Sequence, residues 1–140
     1  MTDDLTFVDT NVLIYAYDRS ASEKHAVARA RLTDLWGSRN GVTSTQVLQE
    51  FYVNATRKLP RPLTAPSARR VIAHYATWPV HRIDPGDILE ASDLEQRRKL
   101  SFWDALVIVS ASRLGAVRLL SEDLQHGQTI AGIRIENPFV

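Results

Sequence analysis

The sequence predicts an α/β protein: a mostly parallel sheet with helices on both faces. Three observations predict it. Short apolar runs with polar tips alternate with longer helical patterns along the chain, which is the pattern of a parallel sheet with crossover helices. The first of them, residues 5–18 (LTFVDTNVLIYAYD), passes from a short apolar run through Asp9 into a second apolar run. It reads as a buried strand, an acidic tip and a helix that Thr10 or Asn11 can cap. Residues 102–114 are apolar nearly all round, which marks a helix inside the fold.

The size suits one domain over residues 1–140 with a real core. Hydrophobic residues make up 44% and charged residues 24%, an ordinary globular balance rather than a disordered one. There is no cysteine, so disulfides, thiolate metal sites and cysteine nucleophiles are excluded. The start, MTDDLTF, is acidic and unlike a signal peptide, and no apolar run approaches the ~20 residues of a membrane helix. A cytoplasmic protein without membrane contact is expected. The formal net charge of +1 gives no global field for nucleic acid, so any such partner needs local patches. The cations are clumped at Arg57, Lys58 and Arg61, at Arg69 and Arg70, and at Arg97, Arg98 and Lys99. These are either solvated helix ends or phosphate contacts.

After the opening unit, Ser20-Ala21-Ser22-Glu23 reads as a capping box for a helix to about Trp36, with Ala28, Leu32, Leu35 and Trp36 inward. Val42 and Thr43 form a very short strand. Thr43 or Ser44 then caps a helix over 45–58, ended by Pro60 and Pro62. Thr64-Ala65-Pro66 opens a helix through Thr77. Residues 79–83 are a third strand with Val80 and Ile83 buried. Asp84-Pro85 caps a helix to about Lys99. Ser101 opens the apolar helix, which Gly115 ends. Residues 117–120 are a fourth strand, 121–127 a polar loop at its end, and 133–135 a short edge strand.

Four acids fall where such a fold gathers ligands, outside the carboxyl ends of its strands. Asp9 directly follows Phe7-Val8, although acids are depleted in strands; its ordinary role would be to cap the next helix. Glu50 lies at the edge of an apolar helix face with Asn54 and Arg57, where a simple ion pair with Arg57 is the plain alternative. Asp104 sits in the first turn of the apolar helix, where Ser101 and Asp104 also fit a capping box. Asp123 follows the fourth strand, with Glu122 as its competitor and Ser121 able to orient either. Clustered carboxylates raise one another's pKa and call for a counter-charge. Hard divalent cations, Mg²⁺ or Mn²⁺, supply it through oxygen ligands. Such ions activate water and stabilise charge developing on a phosphate. Arg57 and Lys58 are placed to hold a phosphate backbone.

With those motifs set out, the chain resembles the PIN-domain ribonucleases, and among them the VapC-type toxins of toxin–antitoxin pairs. The resemblance spans nearly the whole chain. It rests on FVDTNVLIYAYD, VLQEFYVNATRK, LSFWDALVIVSA and LLSEDLQHGQTIAGIRIENPF. It implies a three-layer α/β/α sandwich and a metal site made by Asp9, Glu50, Asp104 and Asp123, the last position being the most variable. Thr10, Asn11 and Ser121 match small polar positions that support the acids. It further implies Mg²⁺- or Mn²⁺-dependent cleavage of RNA, transfer RNA among the substrates, a homodimer, and a VapB-type antitoxin that obstructs the acidic cleft.

Two other classes compete. An aspartyl-phosphate phosphotransferase would use Asp9 as nucleophile, but Asn11 stands where its general acid is expected. A non-catalytic scaffold would bind RNA or a protein partner without cutting. His25, His74, His81 and His126 show no ligand spacing. The three tryptophans read as core residues, with Trp103 able to border the cleft.

Overall fold

The computed structural model describes residues 4–140. Residues 1–3, part of the acidic start read above, lie outside the described residues. In chain order the elements are β1 (Thr6–Val8), α1 (Thr10–Tyr17), α2 (Glu23–Ser38), β2 (Gly41–Ser44), α3 (Thr45–Arg57), α4 (Ala65–Tyr75), β3 (Val80–His81), α5 (Pro85–Arg98), α6 (Phe102–Arg113), β4 (Arg118–Leu120), β5 (Thr129–Ile130) and β6 (Ile133–Glu136). The strands form one sheet in the order β3-β2-β1-β4-β6-β5. Pairings are parallel except that of β5 with β6.

The helices divide by connection. α1 to α4 belong to the steps from β1 to β2 to β3, which move one way across the sheet. α5 and α6 belong to the return from β3 to β4. Right-handed crossovers running in opposite directions place the two groups on opposite faces. This is the predicted α/β/α arrangement. β1 and β2 are buried on both faces, as inner parallel strands require.

Local chemistry fixes the helix starts. The Ser44 hydroxyl accepts from Val47 N at 3.3 Å, and Thr64 Oγ1 from Ser67 N at 3.2 Å. Asp84 and Asp87 form a reciprocal capping box before α5. At the head of β2, the backbone of Gly41 lies against the Trp78 ring, where an added Cβ would come within 2.5 Å of its carbons. A side chain there would have to displace the indole.

Several local expectations are corrected. Neither Thr10 nor Asn11 caps α1: both lie inside the helix, and Asp9 caps it in the ordinary role named for it, its carboxylate accepting from Thr10 N. The expected capping box at 20–23 does not form: Asp18 caps a short 3-10 turn at Arg19–Ala21, and Ser22 precedes α2 at φ 53° without a side-chain cap. β3 is two residues long at an edge, so Val80 and Ile83 are only half-buried. The strand expected at the edge, β6, is instead paired on both sides, because β5 folds back to cover it. β5 carries only two residues, too few for any period. Among the described residues no helix is long and apolar enough to cross a membrane.

Candidate metal centre

The strand order decides where the acids meet. The direction of connection reverses between β1 and β4, and the crevice at their carboxyl ends is where an open α/β sheet takes ligands. Asp9 follows β1 there, and Ser121–Asp123 follow β4 there. Asp104 reaches the same place from the first turn of α6, and Glu50 from α3. All four line one cleft of about 440 Å³.

Asp9 is the most enclosed, at 4% exposure. One carboxylate oxygen accepts from Thr10 N at 2.7 Å and the other from the Ser121 hydroxyl at 2.8 Å. That hydroxyl also accepts from Asp123 N at 3.1 Å, so Ser121 fixes two acids at once. Asn11 donates to Asp123 Oδ2 at 3.0 Å, and its own oxygen accepts from Glu122 N at 3.2 Å. The loop is thereby tied to α1. Ser101 Oγ accepts from Asp104 N at 3.0 Å, so the capping role and the cleft position hold together. Glu50 accepts from Thr10 Oγ1 at 2.6 Å and from Gln46 at 3.4 Å. It makes no ion pair with Arg57, contrary to the plain alternative.

Asp9, Asp104 and Asp123 each present an oxygen within 4.8 Å of the other two. Glu50 is not part of this group and borders it. Glu122 turns away: it accepts from Tyr15 Oη at 2.6 Å and pairs with Lys24 at 2.8 Å. Among the described residues none of the four cleft acids forms an ion pair within 4.0 Å. Burial, with Asp123 and Glu50 nearby, pushes the Asp9 carboxyl up to about 7, although its two hydrogen bonds oppose the shift. Burial also raises Asp104, again with Asp123 and Glu50 adding to the effect. An all-oxygen donor set with unbalanced negative charge fits Mg²⁺ or Mn²⁺.

Of the expected substrate contacts, Asn54 and Lys58 line the cleft and Arg57 does not. Lys58 caps the end of α3, and Arg57 points into solvent from its last turn. The histidines stay out of the cleft; His126 Nδ1 accepts from Asn137 N at 3.0 Å. Trp103 departs from the core reading: it is 61% exposed and lines the cleft. Tyr15 and Gln46 also line it and were not singled out by sequence. Their pattern is that of ordinary helix-boundary residues, and no sequence signal separates them from such.

No curated protein matches the chain by sequence. Solved structures do match by shape. VapC20 of Mycobacterium tuberculosis, a sarcin–ricin-loop-cleaving toxin, aligns with TM-score 0.64 and 20% identity over 84% of this chain and 89% of its own. A toxin–antitoxin complex from Klebsiella pneumoniae aligns at 0.70 and 19%, over 95% and 97% of the two chains. DNA-bound VapBC from Salmonella typhimurium aligns at 0.65 and 20%, over 96% and 98%. The family profile of the PIN domain matches residues 6–129. With that match over most of its length, the chain belongs to the PIN domain family.

Proposed function

We propose that this protein is the toxin of a VapBC-type toxin–antitoxin pair, an endoribonuclease that hydrolyses RNA phosphodiester bonds with Mg²⁺ or Mn²⁺. The observation that carries the reading is the convergence of Asp9, Asp104 and Asp123 at the crevice between β1 and β4, with no ion pair to any of the three among the described residues. The structural neighbours support it, since they are a sarcin–ricin-loop-cleaving toxin, a toxin–antitoxin complex and a DNA-bound VapBC.

In this reading Asp9, Asp104 and Asp123 hold the ion, and Glu50 completes its surroundings from α3. The ion, when bound, supplies Lewis acidity toward water and the scissile phosphate. The rest is done by the chain. Ser121 and Thr10 N orient Asp9, and Asn11 fixes Asp123. Thr10 Oγ1 aims Glu50 into the cleft. Lys58 meets the phosphate backbone and Asn54 lies beside it. A VapB-type antitoxin is the expected partner, covering the cleft; a homodimer and a cytoplasmic setting go with the toxin role.

The test is cleavage of a mixed RNA pool by the purified protein with Mg²⁺, Mn²⁺ or EDTA, beside Asp104→Asn. Discrete products that need the metal and vanish in the variant are expected. Equal products from both proteins, or products that persist in EDTA, would overturn the reading.

A further inference from the structure

Trp103 is a cleft residue that the metal centre does not use. It stands in the first turn of α6, with its Cα about 3.8 Å from that of Asp104. A single nucleotide spans more than that. Its ring meets Phe102 edge to face at 5.2 Å, yet 61% of the residue remains in water. Leu59 and Pro60 share the cleft lining with it, as does Lys58.

The backbone under the indole is held in place. Gln46 Nε2 donates to the Trp103 carbonyl at 3.3 Å and to the Glu50 carboxylate at 3.4 Å. Both partners are acceptors, so the amide must present its nitrogen to them, and Oε1 is left buried without a partner. Leaving a buried acceptor unpaired is unfavourable. One amide thus ties the Trp103 backbone to Glu50.

Resting on the ribonuclease reading above, we propose that Trp103 is a nucleobase-stacking platform for single-stranded RNA. The indole receives the face of an unpaired base next to the phosphate held over the three aspartates. Every base has a π-face, so this contact adds affinity without reading sequence. In a duplex both faces of a base are covered by its neighbours, so the platform favours loops and unpaired segments. A protein partner would also cover an exposed indole, but its place beside Asp104 within the acid cleft favours the nucleotide.

The experiment is equilibrium binding of labelled single-stranded decaribonucleotides in EDTA, by anisotropy, for wild type, Trp103→Ala, Trp103→Phe and Trp103→Tyr. An abasic site is scanned through the oligonucleotide, and cleavage with Mg²⁺ or Mn²⁺ is measured in parallel. The alanine variant is expected to bind about five- to hundredfold more weakly. The aromatic variants should recover most of the affinity. An abasic site at one position should weaken wild type but leave the alanine variant unchanged. Unchanged affinity in Trp103→Ala, or equal abasic losses in both proteins, would overturn the platform. Trp103-dependent binding without metal-dependent cleavage would sink the nuclease reading alone.

Discussion

Asp9 and Asp87 are 4% and 1% exposed, and each stands at the start of a helix. Around Asp87 the chain has placed donors from three sides, one of them the Arg113 guanidinium. His81 Nε2 lies at 2.6 Å, Arg113 Nε at 3.1 Å, and Asp84 N donates at 2.9 Å. Burial works to raise the Asp87 carboxyl, but these donors together hold it below the usual carboxylate range. Around Asp9 there are two hydrogen-bond donors, and further acids instead of cations. The same residue type, screened from solvent at both sites but deeper at Asp9, is balanced within the chain at one and left unbalanced at the other. Asp87 ties β3, α5 and α6 together. In the proposed function, that imbalance at Asp9 is met by a cation from outside.

The contrast is broken most sharply by neutral isosteres. Asp9→Asn and Asp104→Asn should each lower RNA cleavage by about a thousandfold or more, since the ion's charge stabilisation amounts to several kcal/mol. Both variants should stay folded by circular dichroism. Asp87→Ala should do the reverse. Urea denaturation should show a loss of roughly 1.5–3 kcal/mol, as for removing hydrogen bonds to a charged group, while the folded fraction keeps its turnover.

Stability against pH in EDTA sharpens the comparison further. Asp9's folded pKa of about 7 lies above its ordinary 3.8. The native state therefore binds the extra proton between those values, and stability falls as the pH rises from about 4 to 7, by up to roughly 4 kcal/mol. Asp104 adds to the same slope. Asp87 contributes oppositely: its stabilisation is present above the usual carboxylate range and is lost as the pH falls through its lowered pKa. Asp9→Asn should flatten the upper slope only. Saturating Mg²⁺ should then raise the stability of wild type at pH 7.5 by about 2.7 kcal/mol at one hundred times its Kd, and that of Asp104→Asn by much less, as read by thermal melts. The smallest effect is expected of Thr10→Val. Removing the hydroxyl that donates to Glu50 should slow cleavage about tenfold with little change in melting temperature.

Much of this was legible in the sequence because local chemistry carries it. Phe7-Val8-Asp9 announces a strand with an acid at its end, and the uniformly apolar 105–109 announces a core helix. What was not legible depends on distant partners. Asp123 and Glu122 are adjacent and equal in sequence. Lys24 and Tyr15, 98 and 107 positions away, draw Glu122 out of the cleft. The Asp87 network needs Arg113, 26 positions on, to meet a residue that reads only as a capping acid. β6 looked like an edge because the two residues of β5 are too short to announce themselves. For Trp103 the sequence left two places open, the core with the other indoles or the border of the cleft, and its 61% exposure in the cleft lining matches the second.

Mn²⁺ titration, with bound ion counted by electron paramagnetic resonance, most directly tests whether the aspartates at the β1–β4 crevice form a divalent-cation site. Wild type, Asp104→Asn and Asp87→Asn are compared at pH 7.5. Saturable binding should appear in wild type and persist in folded Asp87→Asn, and it should be lost or weakened at least about tenfold in Asp104→Asn. Absence of binding in wild type, or equal binding in wild type and Asp104→Asn, would contradict the site.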